Sequence, residues 1–278
     1  FSVYSLQYVG APAVWAAQLV GENSSIVSQN SVAVADNVAY WFGKDKFYMY
    51  DGGVKVLPCD VKRYIFNDIN RDNIEQIFGS TNEGFDEIWW FYPSASSNTN
   101  DRYVVYNYVQ KIWYYGNLAR TAWMDSGIGD FPVAATNSNN LVQHEVGLDD
   151  AETGTTVPIV ASITSAQFDL DDGHKFMLVS RMLPDITFDG STADSPVVTM
   201  SMSALQNSGS GFNDPLSESG NSGGSVVRTA TSPVEQFTQE IYLRVRGRQV
   251  SFKVESTAQG VTWQLGSPRV DMRPDGRR

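Results

Sequence analysis

The strongest constraint on the fold of this chain is a seven-residue motif that occurs twice, 56 positions apart: Asp45-Lys46-Phe47-Tyr48-Met49-Tyr50-Asp51 and Asp101-Arg102-Tyr103-Val104-Val105-Tyr106-Asn107. Acid, base, aromatic, two strand-formers, Tyr, and acid or amide recur in one order. Lys55-Val56-Leu57 matches Lys111-Ile112-Trp113 at the same offset, and Ala39-Tyr40-Trp41-Phe42 matches Ile88-Trp89-Trp90-Phe91 at an offset of 49. A longer loop at 93–100 accounts for the difference. Short strands repeated in order and joined by variable turns are the sequence pattern of propeller blades. The chain therefore reads as an architectural repeat first.

Three blade-like stretches follow. The first has strands at 31–35, 38–42, 46–50 and 54–57, with Asp51-Gly52-Gly53 as a tight hairpin turn. Residues 59–75 read as a short helix or helical turn and a connecting loop, because Val61, Tyr64, Ile65 and Ile69 have a partly helical spacing. The second stretch has strands at 76–81, 87–92, 102–106 and 111–115. The third has strands at 131–136 and 141–146, with later strands at 159–164 and 166–170. A closed propeller needs about four or more blades. Two and a half leave the rest to upstream chain or to partner subunits, and the first residue, Phe1, fits a chain that is part of something longer.

From about residue 155 the blade pattern stops. Strands are expected at 176–182, 185–188, 197–203, 237–245, 249–255 and 261–265. Residues 205–231 are rich in Ser, Gly and Asn and are expected to form a long flexible or partner-bound loop. The fold class is all-β: a partial β-propeller over 1–154, then a β-sandwich over 155–278.

Composition narrows the function. Hydrophobic residues make up 42%, enough for a real core. No apolar run approaches the roughly 18 residues that span a bilayer. Residues 11–20 are the most apolar early stretch and read as buried, with no basic segment before them to make a signal peptide. Cys59 is the single cysteine, which excludes an intrachain disulfide and fits assembly in a reducing cytoplasm; it reads as a small residue at a blade edge. The net charge is −11, unevenly spread: residues 228–278 carry nine Lys/Arg against five Asp/Glu, a net of +4, and residues 1–227 carry eleven against twenty-six, a net of −15. An acidic body argues against gripping DNA, though not against a passage through which DNA slides.

Catalytic and metal motifs are sparse. His144 and His174, the two histidines, have no partners at metal-ligand spacing and read as surface or turn residues. Asp169-Leu170-Asp171-Asp172-Gly173 lacks the terminal Glu of a calcium loop and reads as a turn, as does the acidic cluster Asn67-Asp68-Ile69-Asn70-Arg71-Asp72. No nucleophile elbow and no phosphate loop are present. The competing reading is glycan binding or cleavage, which needs paired carboxylates beside aromatic platforms. Asp51, Asp86 and Glu87 lie near Trp41, Trp89, Trp90 and Tyr92 in sequence. Trp89 and Trp90 are neighbours in a strand and so point to opposite faces, which favours packing. Arg244, Arg246 and Arg248 fall two apart and share a face of an unbroken strand, with Gly247 as a possible bulge. This arginine row reads as a subunit contact, its partners being carboxylates on a neighbouring subunit rather than nucleic acid.

Several segments resemble the β-propeller tail proteins of bacteriophages, a group that includes the nozzle, or packaged-DNA-stabilisation, proteins of short-tailed phages. They are Lys46-Phe47-Tyr48-Met49-Tyr50-Asp51-Gly52-Gly53, Leu57-Pro58-Cys59-Asp60-Val61, Phe66-Asn67-Asp68-Ile69-Asn70-Arg71, Glu87-Ile88-Trp89-Trp90-Phe91-Tyr92-Pro93, the stretch from Asn100 to Tyr108, Trp113-Tyr114-Tyr115-Gly116, Val245-Arg246-Gly247-Arg248-Gln249, Trp263-Gln264-Leu265-Gly266 and the ending from Arg269. The resemblance covers most of 30–125 and 240–278. It implies a virion protein, assembled in the host cytoplasm as a homo-oligomeric ring. It implies contact with a tail adaptor, with fibre or spike proteins and transiently with passing DNA. It implies no catalytic residue, cofactor or metal. The family's propeller has more blades than are counted here.

Overall fold

The protein is described by a computed structural model covering residues 2–127, 129–171, 173–205 and 226–276, with the backbone alone for 226–228. It is an all-β structure of antiparallel sheets, none closed into a barrel. Among the described residues one α-helix occurs, α1 (Lys62–Asp68), followed by a 3-10 segment at Arg71–Gln76. The chain divides into two compact units, residues 1–146 and 147–278, so the division comes before the boundary expected at 154/155.

The first unit opens with a hairpin of β1 (Ser2–Tyr8) and β2 (Trp15–Glu22). Two four-stranded sheets follow in simple up-and-down order. The first consists of β3 (Val32–Ala35), β4 (Val38–Phe42), β5 (Phe47–Tyr50) and β6 (Val54–Leu57). The second consists of β7 (Phe78–Asn82), β8 (Glu87–Tyr92), β9 (Arg102–Asn107) and β10 (Ile112–Asn117). Their central ladders share one register. Ala39 lies opposite Tyr50 and Trp41 opposite Tyr48, while Ile88 lies opposite Tyr106 and Trp90 opposite Val104. Tyr50 and Tyr106 thus hold equivalent places, as do Trp41 and Trp90. The edge strands depart from the expected match. Tyr50 faces Val54, but Tyr106 faces Trp113, so Val54 rather than Leu57 corresponds to Trp113. The cause is the longer second turn, in which the Asn107 side chain accepts from the N–H groups of Val109 and Gln110 and Lys111 takes a positive φ of 60°.

Every residue of β8 is buried. A strand covered on both faces loses the alternation of a half-exposed one. Ile88, Trp90 and Tyr92 pack with Tyr40, Phe42 and Phe47 of the first sheet. Trp89 and Phe91 pack on the other side with Phe78, Val105 and Trp123. Buried indole N–H groups need acceptors, and backbone carbonyls supply them: Trp90 donates to Ser31 O at 3.0 Å, Trp123 to Thr81 O at 3.0 Å and Trp41 to Ser25 O at 3.1 Å.

Trp123 belongs to a third sheet of β11 (Arg120–Met124), β12 (Val133–Thr136) and β13 (Leu141–Gln143). This corrects the expected third blade. Its later strands are not at 159–164 and 166–170, because Ala161–Thr164 pairs with Gln249–Ser256 in the second unit. The strand it does use, β11, follows β10 across Leu118-Ala119 with no Gly, Pro or Asn-Gly to announce a turn. The expected burial of 11–20 is also corrected: Val14, Trp15 and Leu19 are 48%, 63% and 43% exposed. Those residues form half of a two-stranded ribbon that pairs with no further strand among the described residues.

The second unit holds two larger sheets around one core. A four-stranded sheet orders β16 (Ala161–Thr164), β22 (Gln249–Ser256), β19 (Val197–Leu205) and β20 (Val226–Glu235). A three-stranded sheet orders β21 (Ile241–Gly247), β17 (Met177–Leu183) and β24 (Arg269–Pro274). Met177, Val179, Met182 and Val245 from the second meet Val198, Met200, Met202 and Val254 from the first. Two short pairs, β14 (Asp149–Asp150) with β15 (Val157–Pro158) and β18 (Ile186–Thr187) with β23 (Gln264–Leu265), complete it. The Ser/Gly-rich stretch is shorter than the expected loop at 205–231. Leu205 ends β19 and pairs with Val226 at the start of β20, and residues 206–225 lie outside those described.

Candidate functional site

The basic end of the chain builds one face. In β21, Ile241, Leu243 and Val245 pack into the core, so Tyr242, Arg244 and Arg246 point outward. In β24, Val270 and Met272 pack inward, so Arg269, Asp271 and Arg273 share that outer face. A register shift between Val179 and Arg181 in β17 brings Arg181 out beside them. The guanidinium of Arg181 donates to Asp271 at 2.8 Å and to Glu240 at 3.0 Å. The Tyr242 hydroxyl, on a residue 75% exposed, donates to Glu240 at 2.5 Å. Those two donors hold the Glu240 carboxyl below its ordinary range, the tyrosine contributing first.

The three arginines expected to form one row are split. Gly247 ends β21, and the chain crosses there from the three-stranded to the four-stranded sheet. A Cβ at Gly247 would stand 2.8 Å from both Ala204 Cβ and Leu205 O, so only glycine fits the crossing. Arg246 and Arg248 converge on the Phe176 ring, their Cζ atoms 4.3 and 5.2 Å from its centroid. Arg246 also pairs with Asp275 at 2.5 Å. Arg244 stands apart, exposed, with Arg269 and Arg273 on the same face. Among the described residues these three guanidiniums have no carboxylate partner, whereas Arg181 and Arg246 are matched inside the chain. The row thus becomes a patch, with Arg244, Arg269 and Arg273 as its open donors. Arg269 and Arg273 were missed in sequence because they lie in a separate segment that only β17 brings alongside.

The carboxylate–aromatic grouping forms no cleft. Trp41, Trp89, Trp90 and Tyr92 are buried. Asp51 is exposed and pairs with Lys55 at 2.6 Å. Asp86 caps a 3-10 turn in the left-handed region and accepts from the Tyr108 hydroxyl. Glu87 is buried and accepts from Trp89 Nε1 at 2.8 Å and from the Tyr114 hydroxyl. The amide of Asn82 donates to both Glu87 (3.4 Å) and Glu145 (3.1 Å). Glu145 lies at the surface as a residue, but its carboxylate turns toward this cluster. Burial and the charge of Glu87 push its carboxyl above the ordinary range, against the opposing Asn82 bond.

That shift has a defined sign. A carboxyl raised in the folded state contributes stability below the unfolded value of about 4.3 and loses it as pH rises through the folded value. Thermal unfolding of the parent should therefore lose stability between about pH 4 and the raised value, and Glu145→Gln should flatten that slope. Equal slopes in the two proteins would show that the Glu145 carboxyl is not raised in the folded state.

No group of three His, Cys, Asp or Glu that could hold a metal occurs among the described residues. His144 corrects the reading as a plain surface residue: Nε2 accepts from the buried Arg120 Nε at 2.9 Å, and its ring lies 4.5 Å from that of Trp123. His174 is exposed, next to a turn closed by Gly173 N to Leu170 O; Asp172 lies outside the described residues. Burial pushes the Cys59 thiol up to about 12, which leaves it a poor nucleophile. Among the described residues no helix is long and apolar enough to cross a membrane. A scan against protein-family models finds no match for the chain, and a search of curated proteins finds none either.

Proposed function

We propose that the chain is a structural protein of a phage tail, a nozzle or hub subunit that forms a ring, continues the DNA channel and helps to retain and release the genome. On this reading the three sheets of the first unit are propeller blades, and the second unit is a β-sandwich. The observation that carries it is the pair of consecutive four-stranded sheets with one register, each linked to the preceding segment by a tryptophan N–H, in the order of motifs that resembles phage tail propellers. The role is non-enzymatic. The carboxylates that glycan cleavage would need are spent on Trp89, Tyr114 and Lys55, and Trp41, Trp89 and Trp90 beside them are buried.

Ring contacts on this reading include the open arginines, paired with the acidic surface of a neighbouring copy. Arg forks suit carboxylates, and Arg181 and Arg246 already show that use on the same face. The triple variant R244S/R269S/R273S should fold within about 0.5 kcal/mol of the parent, because the three side chains are exposed. Self-association of the parent should weaken with added salt, and the variant should lose that salt-sensitive part. Tight, salt-sensitive binding of duplex DNA by the parent, abolished in the variant, would assign the arginines to nucleic acid instead. For the function itself, particles assembled without the chain should package DNA and then lose it; particles that keep their DNA would refute the proposal.

A further inference from the structure

One face of the second sheet meets the first sheet and α1. Its cross-strand rows on that face run Trp90, Val104 and Tyr115, then Tyr92, Arg102 and Asn117. Ile65 of α1 and Ile69 just after it pack with Trp90, Tyr92 and Val104. The rings of Tyr64 and Tyr115 lie 4.2 Å apart between centroids. The chain leaving α1 is tied to the loop after β8: Asn70 N donates to Pro93 O at 2.9 Å, and Asn70 Nδ2 to Ser97 O at 2.7 Å. Asp68, the last residue of α1, is thereby set against Arg102.

Three polar atoms in this region make no hydrogen bond. Tyr92 is fully buried, and its hydroxyl has no partner among the described residues; the same holds for the buried Asp68 Oδ2 and Arg102 Nε. The two charged atoms stand 3.6 Å apart, beyond hydrogen-bond reach. The Asp101 carboxylate, 4.0 Å from Arg102 Nε, is turned to Ser94, accepting from its N–H at 2.7 Å and from its hydroxyl at 2.8 Å. Burial, and then the charge of Asp68, push the Tyr92 hydroxyl above its ordinary value, so it keeps its proton and remains a donor. Buried donors and acceptors are nearly always paired, and a polar contact longer than 3.5 Å commonly holds a water between its ends.

We infer that Asp68 Oδ2, Arg102 Nε and the Tyr92 hydroxyl bind one water molecule in common, and that this water fastens α1 to the second sheet. The three atoms are an acceptor, a donor and a hydroxyl, so their ligand must both accept and donate. A cation would be repelled by the Arg102 guanidinium and an anion by the Asp68 carboxylate, whereas a neutral water meets neither repulsion. The water accepts from Arg102 Nε and from Tyr92 and donates to Asp68, three bonds in all, as is usual for an internal water. Because α1 lies in the segment that links the first two sheets, the water is part of the joint between them. The inference does not rest on the viral reading.

A high-resolution crystal structure of the parent tests it. A single peak is expected within about 3.2 Å of all three atoms. In solution, oxygen-17 relaxation dispersion counts long-lived internal waters, and the double variant Asp68→Leu/Tyr92→Phe should hold one fewer than the parent. If the double variant does not fold, the parent's density decides alone. Three results would each overturn the inference: Arg102 Nε bonded directly to Asp68 with no density among the three atoms, a peak with six or more oxygen contacts at about 2.3–2.6 Å, which is a cation's shell, or equal water counts in the parent and a folded double variant.

Discussion

Trp90→Ala is expected to lower the unfolding free energy of residues 1–146 by about 3–5 kcal/mol, the range for removing a large buried aromatic from a core. Trp90 is fully buried, its ring within 5.1 Å of Phe47 and 6.0 Å of Trp113 between centroids, and its N–H is bonded to Ser31 O. The change therefore opens a cavity and removes one of the two hydrogen bonds to Ser31 O, which keeps the Phe42 N–H at 3.2 Å. Neighbours have little room to close it: Gly79, already tight against the indole, lies 2.9 Å from it at a would-be Cβ. Trp90→Phe keeps most of the volume and should cost less, chiefly the hydrogen bond. Urea unfolding followed by tryptophan fluorescence measures both. A loss below about 1 kcal/mol for the alanine variant would mean that the first two sheets do not depend on each other through this residue.

The second large effect is expected at Gly247→Val. A branched side chain there meets Ala204 Cβ and Leu205 O at 2.8 Å, and one of those contacts is backbone. Overpacking of this kind typically costs about 1–3 kcal/mol. The strain falls where the chain passes between the two sheets of the second unit, so the Arg248 N–H bond to Leu205 O should weaken with it. Amide exchange at Arg248 reports this directly. Faster exchange is expected; unchanged exchange and an unchanged midpoint would show that the crossing accommodates a side chain.

Local patterning made much of this fold legible. The strands at Val38–Phe42, Val54–Leu57 and Glu87–Tyr92 could be read to the residue, because aromatic and β-branched runs there end at Gly, Pro or Asp. The opposite orientation of Trp89 and Trp90 also followed from strand period alone. What failed was non-local. Residues 159–164 read equally well as a blade strand, and only pairing with β22 assigns them. The apolar run at 11–20 reads as core, yet its period-two pattern within a lone ribbon leaves it open. The arginine patch was half legible: Arg244 and Arg246 follow from alternation, but the partners Arg269 and Arg273 arrive through sheet order. Arg246 carried no sign in sequence that Asp275 would match it. His144 likewise could not be tied to Arg120 before β11 was known.

The central claim is that copies of this chain form a ring in a tail. Electron cryomicroscopy of intact virions, with the protein located by fitting its two units separately, tests it most directly. The expected map shows a ring of identical copies around a central channel below the head, with adjacent copies in contact. A particle map in which the chain is absent from the tail, or present as isolated monomers on the surface, would contradict it.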